Sequence, residues 1–444
     1  MSSETVKHVV IIGGGFGGLA CAKQLSRREQ FRVTLIDRRN HHLFQPLLYQ
    51  VATATLTAPD IARSLRGMFG DKDWVETLYD EACGIDLDEK TVALASGNVL
   101  DYDVLVMATG ARTSFFGNDH WAEHVHELKS LNDAIGIRKH VLRNLEFADQ
   151  CSGPEQEKLA TVVIVGGGPT GVELAGAFCD LVKRNMKRHF RRFDTNRQKI
   201  ILVEGQDRLL TPYSPELSQY TEEQLTKLGV EVRTGSLVSD IQPGKVILDG
   251  KEELEAATII WAAGVQATAL TRQIKPAPEL VGPGLVKVDP DLSIPGYPSA
   301  FVIGDCASMV SDGERVPGVA PAAVQAGEHV ARLIATTPLD QKRNHPFKYN
   351  DKGKMAIVSK GSAVVEVKDS KIKGWLGWMM WLFVHVLFLV DFRNKLGVLI
   401  HWFWAYVKNV PGTRVFTTAS SEGEVPDAIR GDGKKPAGED GAKE

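Results

Sequence analysis

The run "KHVVIIGGGFGGLACAKQL" at residues 7–25 sets a β-branched strand against a glycine turn and then a helical pattern. Gly13, Gly15 and Gly18 fill the spacing G-x-G-x-x-G. The first glycine permits the tight turn, the second lets a pyrophosphate approach the backbone, and the third lets helix and strand pack closely. Asp37 closes the next strand-like run, "FRVTLID" at 31–37, nineteen residues beyond Gly18. There a carboxylate accepts from a ribose hydroxyl while the phosphates lie at the helix N-terminus. A dinucleotide-binding unit is predicted at the start of the chain.

The same device recurs in "TVVIVGGGPTGVELAG" at 161–176, with Gly166, Gly168 and Gly171 in the same spacing. The following strand "KIILVE" ends at Glu204, thirty-three residues after Gly171, and a basic stretch, "KRNMKRHFRRFDTNRQK", accounts for the extra length as helix or loop. A carboxylate at Glu204 favours a free 2′-hydroxyl over a 2′-phosphate, so NADH is expected rather than NADPH. Three further apolar strands run into small residues: "YDVLVMATGA" into Thr109 and Gly110, "ATIIWAAG" into Gly264, and "SAFVIGDCA" into Gly304 and Asp305. Small residues at strand ends let backbone approach a ligand. The expected path is a first domain, an inserted second domain, and a return near residue 266. That path puts Asp305 beside the first site's pyrophosphate.

At 444 residues the chain exceeds what one core usually sustains. Its 52 Lys plus Arg against 55 Asp plus Glu give a net charge of -3, so no nucleic-acid partner is expected. Cys21, Cys83, Cys151, Cys179 and Cys306 stand far apart, which predicts neither a metal site nor a disulfide framework. Cys306, beside Asp305, reads as an inert buried thiol. The polar start of the chain carries no export pattern.

Between residues 374 and 390, "GWLGWMMWLFVHVLFLV" holds no formally charged side chain. As one helix it would reach about 25 Å, short of the roughly 30 Å of a bilayer's hydrocarbon. Trp375, Trp378 and Trp381 recur every three residues, which places them along one side. A second apolar group, "LGVLIHWFWAYV" at 396–407, is too brief to span. The pair reads as helices lying in a membrane interface, with Lys371, Lys373, Arg393, Lys395 and Lys408 near lipid phosphate. A buried helix pair, a dimer contact and a transmembrane hairpin are the competing readings. Residues 417–444 carry seven acidic and four basic side chains and few large apolar ones, as a disordered tail does.

Together with "FQPLLYQVAT" at 44–53, "WAAGV", "GDCA" and the aromatic C-terminus, these motifs resemble the type II NADH:quinone oxidoreductases from about residue 6 to about 416. The resemblance implies an α/β chain of two Rossmann-type dinucleotide-binding domains of the FAD/NAD-linked reductase kind, with a C-terminal membrane-binding helical segment. It also implies resident FAD, held non-covalently, and NADH as the exchangeable donor. The acceptor is a membrane quinone, reduced to quinol without proton pumping. The expected domains are 1–160 for FAD, 161–265 for NADH, 266–345 returning to FAD, 346–416 for the membrane and 417–444 as tail. The expected location is peripheral, on the cytoplasmic side of a cell inner membrane, with a homodimer left open.

By the same resemblance, Glu173 orders substrate or handles protons, against the plainer role of a first-turn glutamate complementing a helix dipole. In "PGVAPAAVQAG" at 317–327 the family's pair of glutamines is reduced to Gln325, because Pro321 occupies the first position and starts the helix instead. Gln325 donates to a quinone carbonyl or serves as an ordinary helix residue. Gln50 offers a polar end beside apolar neighbours, suited to flavin or quinone, or lies in a loop simply packed against the cofactor. Related disulfide and sulfide:quinone reductases use cysteines at the flavin, and the isolated cysteines here argue against both. A ferredoxin reductase has little need of the aromatic C-terminus, and a non-enzymatic NADH-sensing flavoprotein would keep every glycine.

Overall fold

The structure is a computed structural model that describes residues 6–186, 189–338, 345–407 and 414–416. The expected tail from 417 onward and Lys408 lie outside the described residues. Contacts gather the chain into two compact units, Met1–Phe44, Ile61–Phe116 and Gly264–Gly353 in the first, and Gln45–Asp60, Gly117–Ala263 and Lys354–Glu444 in the second. This partition differs from the functional boundaries expected above. The helix Leu131–Ala148 packs in the second unit, where His140 Nε2 meets the Ala257 carbonyl at 2.8 Å and Asn144 donates to Thr258. The short helix Leu48–Ala52 packs against that same helix.

The first unit is built on a six-stranded sheet. From one edge to the other its strands are Ser293–Ile294, Tyr297–Val302, Val104–Met107, Lys7–Ile12, Phe31–Asp37 and Val75–Tyr79. The last five are parallel, and only Ser293–Ile294 is antiparallel. Val9, Val10 and Ile11 are fully buried, as a central parallel strand covered on both faces requires. Helices Phe16–Leu25 and Ala320–Thr336 cross so closely that a Cβ on Gly327 would stand 2.1 Å from the Gly17 carbonyl oxygen. Pro321 lies in the first turn of the second of these helices, where its missing N–H costs nothing.

The second unit carries a five-stranded parallel sheet. In order its strands are His126–Glu127, Thr258–Trp261, Thr161–Val165, Lys199–Val203 and Val230–Arg233. Between Asn185 and Lys199 the described part of the basic stretch is mostly loop, with one 3₁₀ turn, Thr195–Arg197. An antiparallel sheet of Lys354–Ser359, Ser362–Val367 and Ser370–Gly374 packs on helix Pro169–Cys179. Gly374, at φ 75°, turns the last strand into helix Trp375–Phe388, a conformation that other residues resist.

Two expectations for the C-terminus are revised. The apolar window is not one helix of seventeen residues. It breaks after Phe388 and resumes as Phe392–Trp402, and among the described residues no helix is long and apolar enough to cross a membrane. Nor do the three tryptophans share a side. Each step of three residues turns back by about 60° on a helix of about 3.6 residues per turn. Trp375 is therefore 61% exposed while Trp381 is 0% exposed.

Helix Pro169–Cys179 meets strand Lys354–Ser359 at Gly176, where an added Cβ would fall 1.7 Å from the Val358 carbonyl oxygen. Backbone of a paired strand has little room to retreat. Gly176→Ala is expected to destabilise the protein by about 2 kcal/mol or more, read as a lowered midpoint of denaturant unfolding. A midpoint equal to the parent's would show that the two elements separate freely.

Candidate functional site

In the first unit the glycine turn is held from three directions. Gly13 N–H donates to the Ile36 carbonyl at 2.8 Å, and Gly14 N–H donates to Asp37 Oδ2 at 2.6 Å. Gly13, at φ 106°, lies so close to the neighbouring strand end that a Cβ would stand 2.4 Å from the Ala108 oxygen. A Cβ on Gly18 would stand 1.9 Å from the Gly13 oxygen, so the third glycine brings the helix onto the turn. Gly15, by contrast, has open space around its missing side chain.

The second unit repeats this geometry. Gly166 N–H donates to the Val203 carbonyl at 2.7 Å, and Gly167 N–H donates to Glu204 Oε2 at 2.6 Å. Gly166 has φ 115°, Gly171 presses on the Gly166 oxygen, and Gly168 faces open space. Each acid also receives the N–H of the residue two further on, Arg39 at 2.7 Å and Gln206 at 2.8 Å. Every carboxylate oxygen keeps a second lone-pair direction for a ribose hydroxyl.

Other residues singled out in the sequence gather at the same strand ends. In the first unit Thr109 and Gly110 follow Val104–Met107, the parallel neighbour of Lys7–Ile12, and Asp305 follows Tyr297–Val302, the next parallel strand out. Thr109 Oγ1 pairs with Thr268 Oγ1 at 2.7 Å, Gly110 has φ 68° and open space, and Asp305 sits in the 3₁₀ turn Gly304–Cys306. Gly264, at φ 67°, directly follows the stretch that ends strand Thr258–Trp261, and a Cβ there would stand 2.8 Å from the Ser114 oxygen. Cys306 is fully buried and burial raises its thiol pKa, as an inert thiol requires.

His42 escaped the sequence reading. Its Nδ1 bonds the Gly14 carbonyl at 2.9 Å and its ring meets Phe16 edge-on. Burial lowers its pKa to about 4, so the imidazole is neutral and Nδ1 carries the donated hydrogen. Its Nε2 is buried without a hydrogen-bond partner. An orphaned polar atom beside an open glycine cradle and the free N–H groups of a helix N-terminus fits a bound dinucleotide.

A polar cavity in the second unit contains Glu173 and Gln50 together. Glu173 is not in a first turn. Helix Pro169–Cys179 begins at the proline, so Glu173 is its fifth residue and the dipole role weakens accordingly. Glu173 Oε1 accepts only a long hydrogen bond, 3.4 Å, from Ile357 N–H, and burial pushes the carboxyl up to about 8. Gln50 is 1% exposed, and both ends of its amide are engaged. Oε1 accepts from Trp402 Nε1 at 2.7 Å, while Nε2 donates to the Tyr49 hydroxyl at 2.8 Å and to the Tyr406 hydroxyl at 3.4 Å. Burial raises both phenols. Gln325, in the first unit, pairs its amide with both backbone groups of Asn350, at 3.0 and 2.9 Å.

The pattern described as Pyridine nucleotide-disulphide oxidoreductase matches residues 7–327. The chain is 38% identical over 422 residues, 92% of its length and 90% of the relative's, to the type II NADH:quinone oxidoreductase Ndh of Mycobacterium tuberculosis. It is 30% identical to a type II NADH:quinone oxidoreductase of Staphylococcus aureus, over 83% of this chain and 91% of that one. In fold it is similar to the NDH2 structure from Plasmodium falciparum in complex with NADH, with a TM-score of 0.83 at 22% identity over 90% of this chain and 98% of that one. Two matching dinucleotide turns and identity sustained over nearly the whole length agree: this chain belongs to the type II NADH:quinone oxidoreductase family.

Proposed function

We infer that the chain oxidises NADH, passes the electrons through FAD, and reduces a membrane quinone to quinol without pumping protons. The observation that carries this reading is the pair of glycine turns, each locked by a strand-terminal carboxylate in the same geometry. Two dinucleotide sites in one chain suit one resident and one exchangeable ligand. NADH oxidation by purified protein, followed with and without a short-chain quinone while flavin absorbance is recorded, tests donor, cofactor and acceptor together. Turnover independent of quinone would refute the acceptor.

Gly13, Gly15, Gly18, Asp37, Thr109, Gly110 and Asp305 are assigned to non-covalent FAD, and Gly166, Gly168, Gly171, Glu204 and Gly264 to NADH. The functional domains follow the boundaries 1–160, 161–265, 266–345 and 346–416. Bound FAD supplies a two-electron acceptor for hydride and a donor to quinone. The chain's own part is to hold phosphates and ribose and to manage protons. Glu173, Gln50 and Gln325 are assigned to the quinone half-reaction. Glu173 holds a proton up to about pH 8, and Gln50, its amide already engaged, orients the Tyr49 and Tyr406 hydroxyls.

Attachment to a lipid surface is assigned to the C-terminal helices. Leu376, Met379, Phe383, Leu387, Phe392 and Trp404 are large apolar side chains left exposed there. So dense an apolar patch marks an interaction surface. Lys371 and Lys373 lie beside it and already pair with Glu216 at 3.7 and 2.8 Å, contacts weak enough at the surface to yield to lipid phosphate. The assigned location is peripheral, on the cytoplasmic side of a cell inner membrane.

Replacing Leu376 and Phe383 together by Asp is expected to shift the protein from sedimenting with anionic vesicles to the supernatant, with its FAD retained. Continued sedimentation would move the attachment surface elsewhere. Glu204→Gln should narrow the ratio of kcat/KM for NADH over NADPH by on the order of tenfold. An unaltered ratio would remove Glu204 from donor selection. Glu173→Gln should slow flavin reoxidation by quinone while leaving flavin reduction by NADH near the parent rate. In the parent, quinone turnover should fall as pH rises through about 8, where Glu173 loses its proton. The same raised pKa makes parent stability decline between the unfolded carboxyl's pKa and about 8, since only the folded chain keeps the proton there, and the Gln variant should lack that decline.

A further inference from the structure

Reduction of a quinone by NADH takes one proton from water per cycle, NADH + Q + H⁺ → NAD⁺ + QH₂. The hydride carries one proton with its electron pair and the quinol holds two. Glu173 is only partly exposed and lines the cavity, so a proton reaching it from solvent passes along the cavity walls.

The cavity beside Glu173 supplies the parts. Asp180 follows helix Pro169–Cys179 directly and lies seven residues beyond Glu173, so the two carboxyls share one face about 10 Å apart along the axis. Both line the cavity, as do Tyr49, Tyr406, Ser359 and Arg184. Asp180 Oδ1 is ion-paired with Arg184 Nη1 at 2.8 Å, and the Arg184 side chain is 44% exposed. Asp180 Oδ2 accepts from Lys360 N–H at 2.8 Å. The walls thus combine a partly exposed cation, hydroxyls that both donate and accept, and the Glu173 carboxyl. Water lodged among such groups finds the two to four partners it needs.

We propose that Asp180, steadied by Arg184, is the solvent-side station of a proton route whose inner end is Glu173, delivering the one proton that quinol formation draws from water. At each step one O–H bond forms on the receiving oxygen as one breaks on the donor, and no electrons move. The groups facing Asp180 are Arg184 on its own segment, Lys360 from the turn before strand Ser362–Val367, Tyr49 from helix Leu48–Ala52 and Tyr406 from the C-terminal turn, with Cys179 and Lys183 adjacent. Tyr49 and Tyr213 face Glu173. Burial raises the Asp180 pKa, against the pull of Arg184 and of the Lys360 N–H. Asp180 acts through Glu173 and is a positioning residue rather than a catalytic one. The assignment rests on Glu173 serving the quinone half-reaction.

The test uses the full-length, FAD-loaded protein. In Asp180→Asn, flavin reduction by NADH should stay within about twofold of the parent, while reoxidation by a short-chain quinone slows about tenfold, the deficit widening from pH 6 to pH 9. Asp180→Glu should recover most of the loss, and added formate should speed the Asn variant. Unchanged reoxidation overturns the proposal. So does an equal loss in both half-reactions with no rescue. Should the Asn variant fail to retain FAD, Arg184→Met, at an exposed side chain, should still slow reoxidation about threefold with normal flavin reduction, and normal reoxidation there is equally fatal. Glu173→Gln run in parallel separates the two failures. If it reoxidises normally the underlying reading falls, whereas if it is slow and Asp180→Asn is normal only the outer station falls.

Discussion

Each nucleotide-binding turn hangs on one charge-assisted hydrogen bond, from the N–H of Gly14 or Gly167 to the carboxylate that ends the next strand. At 2.6 Å in both units, and of a kind worth roughly 1.5–3 kcal/mol, it ties the turn to the sheet before any ligand arrives. The glycines are a consequence of that tie. A turn drawn so near the strand ends leaves no volume for Cβ at Gly13, Gly18, Gly166 or Gly171, while Gly15 and Gly168 face outward into free space. Each acid so used accepts two backbone N–H groups and still keeps lone pairs for a further donor.

The second unit adds a polar centre that its parallel sheet does not need. Buried phenols, a buried amide and carboxyls raised by desolvation cost stability wherever they are not fully paired. Glu173 is the least satisfied of them, with a single long hydrogen bond, and its proton is correspondingly hard to remove. Perturbed groups gathered in one cavity are a mark of a working site rather than of structural economy.

Much of this was legible from local pattern. Strand, glycine turn, helix and terminal acid are all set within a few dozen residues, so both dinucleotide units and their strand-end residues could be read directly. What escaped depends on long-range contact. Gln50 meets Trp402 and Tyr406 across more than 350 residues of chain, and no spacing rule joins them. His42 carries no spacing signal, and only the folded chain sets its ring against Gly14 and Phe16. Asp180 stands just ahead of the basic stretch that begins at Lys183, and no spacing marked it out. The start of the helix at Pro169 moved Glu173 out of the first turn, and the backward rotation of a three-residue spacing turned Trp381 inward where sequence spacing had aligned it with Trp375.

The indole of Trp402 ties the C-terminal helices into the interior of the second unit. Its N–H donates to the oxygen of Gln50, and Trp381 beside it is wholly enclosed, packed against Tyr49. The segment that presents an oily face outward is also the lid of a polar chamber. Cutting it away to obtain a soluble enzyme would orphan a buried amide and unroof two phenols, and grafting a lipid chain in its place would repair neither. Substitutions in those helices are better borne on the outer face, because their inner face is masonry.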